Sequence, residues 1–260
     1  MSMIINALLV GASLLASPVP AYAVDGVKLI DRAVVLERGG YPYRITEAGS
    51  YRLSGNLVVS DGANAINIMV SNVTLDLNGF TISGPGSNAI SGGSTAINGV
   101  SVRNGTISGP SSGINLGNCT GCSVQQMLIE NSVNAISVGP TALVSSNVVT
   151  GITGGFAVGT AIVAGAYSTI TGNTISGSTF GIQAAASSSV SGNTVSNSYS
   201  VGIYVDVYST VSGNTATGNN LGIAVNCPVN LLGNTAMANG FANIFYQSGS
   251  GCNSVNNLAP

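Results

Sequence analysis

The sequence predicts an all-β protein: one parallel β-helix of about nine coils behind an N-terminal cap. Three observations carry that prediction. The phrase Ile170-Thr171-Gly172-Asn173-Thr174-Ile175 returns as Val190-Ser191-Gly192-Asn193-Thr194-Val195, Val211-Ser212-Gly213-Asn214-Thr215-Ala216 and Leu231-Leu232-Gly233-Asn234-Thr235-Ala236, so the asparagines recur every 20 or 21 residues. A second register, an isoleucine behind a small residue, runs through Ala65-Ile66, Ala89-Ile90, Gly113-Ile114, Ala135-Ile136, Ala161-Ile162, Gly181-Ile182, Gly202-Ile203 and Gly222-Ile223, with Ile244 as a degenerate last member. Around these positions apolar and small polar residues alternate, as in Ile66-Asn67-Ile68 and Ile203-Tyr204-Val205, which is the period of a strand with one buried face. Ser-Gly, Asn-Gly and Gly-Asn pairs punctuate the strands, and no sustained helical period follows residue 24. Nine coils stacked at about 4.8 Å make a rod on the order of 40 Å long.

The elements follow in chain order. Residues 1–23 read as a secretory signal peptide: an apolar run over residues 4–16, then Ser17-Pro18-Val19-Pro20 and the small-x-small site Ala21-Tyr22-Ala23, with cleavage before Val24. The run is shorter than the roughly 20 residues a bilayer crossing needs, and no later segment is a candidate span. Residues 24–59 hold Lys28, Arg32, Glu37, Arg38, Arg44 and Glu47 and read as the cap that covers the open first coil. Residues 60–260 are the repeat domain. Its first-half coils vary more in length, which places bulging loops there.

Composition fits a solenoid and narrows its partners. Charged residues are 5% of the chain, 36 are glycine, and histidine and tryptophan are absent, while 45% apolar content with β-branched residues in register argues against disorder. Net charge is −2, and neither lysine nor arginine occurs after Arg103, so binding nucleic acid by phosphate neutralisation is excluded. Four cysteines suit an exported protein. Cys227 and Cys252 stand about one coil apart and are expected to tie down the C-terminal end. Cys119 and Cys122, in Cys-Thr-Gly-Cys, form the second expected bridge, and a four-thiolate zinc site is the rival arrangement.

The phrases Ile45-Thr46-Glu47-Ala48-Gly49-Ser50-Tyr51-Arg52-Leu53 and Val73-Thr74-Leu75-Asp76-Leu77-Asn78-Gly79-Phe80-Thr81-Ile82-Ser83-Gly84 resemble the opening of exported bacterial right-handed β-helix proteins of the pectate-lyase superfold. The same repeats occur in carbohydrate-binding and sugar-hydrolase domains and in NosD-type periplasmic proteins. The resemblance spans nearly the whole mature chain. It implies a right-handed coil and a groove along one sheet where a polysaccharide lies, and it includes lyases, hydrolases and epimerases of uronic-acid polymers.

The chemical groups of those enzymes are sparse here. Glycoside hydrolysis needs two flanking carboxylates, yet no two of the acids stack in adjacent coils of the repeat region. A calcium-assisted lyase needs an acidic cluster with a base. Asp76 and Arg103, each three residues after a register valine, are the one pair in successive coils, and they read as a cross-strand ion pair or as a reduced site of that kind. Asn147, Asn173, Asn193, Asn214 and Asn234 read as a corner ladder, with Asn78 and Asn104 as alternative members earlier in the chain. Exposed tyrosines are the remaining sugar-binding signal: Tyr199, Tyr204 and Tyr208 with Asp206 form the expected binding face. The expected protein is secreted, periplasmic or on the cell surface. It is non-catalytic, carries no cofactor, and binds polysaccharide along one face. A lyase, epimerase or hydrolase with a reduced site around Asp76 and Arg103 is the alternative, with calcium entering only under the lyase, and a structural or adhesive rod is the third reading.

Overall fold

Each coil of the chain is three-sided. A computed structural model describes residues 26–60, 62–152 and 159–260, and the expected signal peptide therefore lies outside the described residues. One side of every coil belongs to a ten-stranded parallel sheet, which runs from Tyr43–Ile45 through Ile66–Ile68 and its successors to Ala242–Ser248. The other two sides form an eighteen-stranded array of two parallel ribbons, joined where the long strands Ser101–Ser108 and Ser123–Glu130 run through both. Later coils break that long strand at Ser-Gly-Asn into pairs such as Ser189–Ser191 and Thr194–Ser196. The break is local chemistry: Gly172, Gly192, Gly213 and Gly233 all sit at φ near +60°, where a side chain is disfavoured.

The core is a set of stacked columns. Ile90, Ile114, Ile136, Ile162, Ile182, Ile203 and Ile223 pair in register and are all but completely buried. β-Branched chains suit such columns because one rotamer places the methyls of each coil against those of the next. Asparagine fills one corner. Asn147, Asn173, Asn193, Asn214 and Asn234 are each about 1% exposed. From Asn173 on, each Oδ1 accepts both the backbone N–H and the Nδ2 of the preceding rung at 2.9–3.0 Å. Each Nδ2 also donates to a backbone carbonyl of the preceding coil, Asn193 to Ile170 and Asn214 to Val190. The ladder continues to Asn257, and a second one runs from Ser198 through Asn219 and Asn239 to Asn243. Asn78 and Asn104 stand outside both: each adopts φ above +50°, and their amides bind Leu53 O and Asp76.

The coil count is ten, against about nine expected. The added strand, Tyr43–Ile45, lies in the segment read as the cap and pairs with Ile66–Ile68. Tyr43 there replaces the isoleucine, and Pro42 the small residue, so the register phrase is missing although the alternation is intact. Ahead of it, strand Lys28–Ile30 and a short helix, Arg32–Glu37, cover the first coil. Asp31 caps the helix by accepting from Val34 N at 3.0 Å, and Val35 is buried beneath it.

Both disulfides form, Cys119–Cys122 and Cys227–Cys252, so the cysteines are not thiolate ligands. The second joins the strand end after Leu221–Asn226 to the start of Asn253–Val255, across a sequence separation of 25 residues. Closing a loop of that size removes about 3 kcal/mol of unfolded-chain entropy. The Cys227→Ser, Cys252→Ser double variant is accordingly expected to lose about 3 kcal/mol, with hydrogen exchange accelerating first in residues 242–255. Unchanged exchange there would show that the last coil is held without the bridge.

Candidate functional site

The outward side of the ten-stranded sheet changes character along the rod. The residue after each register isoleucine faces out, and pairing places these residues in one column. The first half of that column is small and polar, with Asn67, Ser91, Asn115 and Ser137. The second half is Val163, Gln183, Tyr204, Ala224 and Phe245. A parallel outward column holds Phe180, Val201 and Leu221. Together Phe180, Gln183, Val201, Tyr204, Leu221, Phe245 and Gln247 line an open groove of about 390 Å³, within the roughly 300–1,000 Å³ range of small-molecule sites. Ala224 lies between Tyr204 and Phe245 in register and is covered, about 1% exposed, and the strand positions of Tyr204 and Phe245 are two strand spacings apart, about 10 Å. Phe245 is itself braced edge-on by Phe241, ring centroids 5.9 Å apart.

Beside the groove, bonded to its Tyr204, lies a polar hydrogen-bonded set. Asn226 Nδ2 donates to Tyr204 Oη at 2.7 Å and to Asp206 Oδ1 at 3.2 Å, while Asn226 Oδ1 accepts from Ser248 Oγ at 2.8 Å. Asp206 Oδ1 also accepts the Val207 N–H at 2.9 Å. Partial burial raises the Tyr204 hydroxyl above the ordinary phenol range, and the neighbouring Asp206 charge adds to that against the opposing Asn226 hydrogen bond. Tyr204 therefore remains a protonated donor through neutral and mildly alkaline pH. The groove and the set beside it combine three aromatic rings, one of them the Tyr204 phenol, with three side-chain amides and a carboxylate.

Of the residues expected to form a binding face, the structure brings together Tyr204 and Asp206. Tyr199 and Tyr208 are well exposed but stand at opposite corners of the same coil, before and after strand Val201–Val205. Tyr208 is at φ +61° in a corner stack, donating its N–H to Pro228 O. The groove adds Phe180, Gln183, Val201, Leu221, Phe245 and Gln247, which sequence reasoning had not singled out, and Ser248 joins through Asn226. Asp76 and Arg103 do pair across strands, with Nε and Nη2 both 3.3 Å from Oδ2. Asp76 Oδ1 is meanwhile taken by the Asn78 N–H at 2.8 Å and by Asn104 Nδ2 at 3.1 Å. Both carboxylate oxygens of Asp76 are thus engaged, by an arginine, a backbone amide and a side-chain amide.

A family profile described as "Periplasmic copper-binding protein (NosD)" matches residues 71–257, which is most of the chain. The chain belongs to the NosD family. No curated protein sequence matches it. Among solved structures it is similar to the Dettilon tailspike protein gp208, at 15% identity and a TM-score of 0.37, covering 82% of this chain and 56% of that one. It is also similar to the A-module of the Azotobacter vinelandii mannuronan C-5 epimerase AlgE6, at 13% identity and a TM-score of 0.30, covering 83% and 81%. The NosD family is periplasmic by its description, and two disulfides belong to an oxidising compartment. Among the described residues no helix is long and apolar enough to cross a membrane.

The imidazole and thiolate donors that suit copper are missing here. The sequence has no histidine, all four cysteines are bridged, and among the described residues no three of His, Cys, Asp or Glu cluster. The thioethers stand apart: Met127 is buried in the apolar core, Met69 is exposed after strand Ile66–Ile68, and Met237 ends strand Thr235–Met237.

Proposed function

We infer that this NosD-family chain is an exported binding protein whose ligand is carbohydrate, held on the outer face of the ten-stranded sheet. The observation that carries the reading is the groove between Tyr204 and Phe245. Tyr204 and Phe245 line it from strand positions about 10 Å apart, Gln183 and Gln247 line it with them, and Asn226 ties the Tyr204 hydroxyl to Asp206 beside it. Sugars offer apolar C–H faces rimmed by hydroxyls, and aromatic platforms edged with amides and a carboxylate complement both parts. The repeat geometry supports a polymer rather than a single sugar, since the outward column continues along the sheet from Val163 to Phe245. Export is supported by the disulfides and by the signal-like residues 1–23.

The test is incubation of residues 24–260 with a panel of neutral and uronic-acid polysaccharides, with and without calcium, following both binding and chain length. The expected result is retention of at least one polymer, independent of calcium and without shortening. Affinity is expected to fall ten-fold or more in Phe245→Ala, which removes one platform. Retention of none overturns the reading, and shortening of any polymer replaces it with an enzymatic one.

A further inference from the structure

Resting on the carbohydrate reading, the geometry points further, to a neutral glycan recognised through a pair of neighbouring hydroxyls, with uronic-acid and other anionic polymers excluded. The argument begins with the orientation of Asn226. A carboxylate only accepts hydrogen bonds, so the amide atom facing Asp206 Oδ1 must be Nδ2, and the Ser248 hydroxyl on the opposite side then donates to Oδ1. The same Nδ2 lies 2.7 Å from Tyr204 Oη, which makes that oxygen an acceptor there. The phenolic hydrogen is thereby left to point away from Asn226, toward the groove.

Asp206 completes a matched pair. Its Oδ1 is occupied by Asn226 and the Val207 N–H, whereas Oδ2 receives no hydrogen bond among the described residues. Tyr204 in the groove is thus a donor, and Asp206, joined to it through Asn226, is an acceptor beside it. Two adjacent sugar hydroxyls answer both demands: one accepts from the phenol, and the other gives its hydrogen to the carboxylate. A uronate carboxylate or a sulfate ester brings no hydrogen for Asp206 and carries the same sign of charge.

No cation offsets that charge. Lysine and arginine are absent after Arg103, and the position of Arg103 is five strand spacings from that of Ser212 in the coil of Tyr204, about 24 Å. That is some three times the Debye length of about 8 Å at physiological salt. Sites that hold polyanions place arginine or lysine against the ligand, and this groove has neither.

The experiment compares a galactomannan and a β-glucan with polygalacturonate and alginate by affinity electrophoresis, using the mature chain and the variants Asp206→Asn, Tyr204→Phe and Phe245→Ala. The expected wild-type result is retention of at least one neutral polymer, with both anionic polymers bound at least ten-fold more weakly and the gap widening at low salt. Asp206→Asn is expected to weaken neutral binding three- to ten-fold while narrowing the gap to the anionic polymers. Tyr204→Phe keeps the ring and is expected to lose neutral affinity by a similar factor. Anionic polymers bound as tightly as neutral ones, with both lost in Phe245→Ala, would overturn the neutral-ligand inference and leave the carbohydrate reading standing. Neutral binding indifferent to both Asp206→Asn and Tyr204→Phe would overturn the hydroxyl-pair assignment. Retention of no polymer would remove the carbohydrate reading and this inference together.

Discussion

Asn193→Ala is expected to cost about 4 kcal/mol, more than a typical surface or loop substitution by a wide margin. The side chain is 1% exposed and acts in both directions along the stack. Its Oδ1 accepts from Asn173 N and Asn173 Nδ2, each at 2.9 Å, and its Nδ2 donates to Ile170 O at 2.9 Å and Asn214 Oδ1 at 3.0 Å. Truncation leaves a buried backbone N–H without its acceptor and a buried carbonyl without its side-chain donor, each worth about 1–3 kcal/mol, and adds a small void. Urea unfolding followed by circular dichroism measures the loss. A cost below 1 kcal/mol would mean that water or a shifted backbone replaces the rung.

Two companion variants separate hydrogen bonding from volume. Asn257 is the last rung and only part-buried, with Nδ2 bonded to Leu231 O and Ser254 Oγ, so Asn257→Ala is expected to cost well under half as much. Asn193→Asp keeps the shape but turns a bare carboxylate oxygen toward Ile170 O and Asn214 Oδ1. Burial and those facing oxygens raise the pKa of the folded acid above the ordinary Asp value of about 3.9. The unfolded chain then ionises first as pH rises. Its stability is accordingly greatest at low pH, where the protonated acid donates to Ile170 O, and falls as pH climbs through the unfolded pKa toward the folded one.

These ladders explain why so much of the fold was legible. Each coil has to satisfy the same corner and the same core column, so the sequence states the requirement repeatedly, and Asn173, Asn193, Asn214 and Asn234 report it at near-constant spacing. Where a coil meets the requirement differently, the signal fades. Tyr43 takes the place of isoleucine in the first coil, and Asn243 supplies the next rung of the second ladder only four residues after Asn239, off the 20-residue period. The candidate site was legible in part, for a related reason. Tyr204 sits one residue after Ile203, the outward offset shared by Gln183, Ala224 and Phe245. Tyr199 and Tyr208 share its coil but not its offset, so grouping by coil joined residues that the strand holds apart. The Asn226–Asp206–Tyr204–Ser248 connection depends on three coils and a register shift beyond Val225, which no period encodes.

The small residue ahead of each register isoleucine follows from the same stacking, and it sets the other large effect: Gly202→Val is expected to lose 4 kcal/mol or more, or to fail to accumulate as folded protein. A Cβ at Gly202 would stand 2.7 Å from Gly222 O and 2.7 Å from Asn219 Nδ2. Neither neighbour can retreat, because Gly222 lies in the next strand of the sheet and Asn219 is held by Asn239 and Val195 O. The column repeats the restriction, with a Cβ at Gly181 meeting Gly202 O at 2.4 Å and one at Gly222 meeting Asn243 O at 2.5 Å. Overpacking into flexible side chains costs about 1–3 kcal/mol, and displacement of two paired strands exceeds that. Gly192→Ala supplies the contrast. That glycine is at φ +62° with nothing within 4 Å of its Cβ, so the substitution adds only backbone strain, about 1–2 kcal/mol. Thermal melting and urea unfolding of Gly202→Ala, Gly202→Val and Gly192→Ala measure the order. If Gly192→Ala proved the worst of the three, backbone conformation rather than close coil packing would be what fixes glycine in this fold.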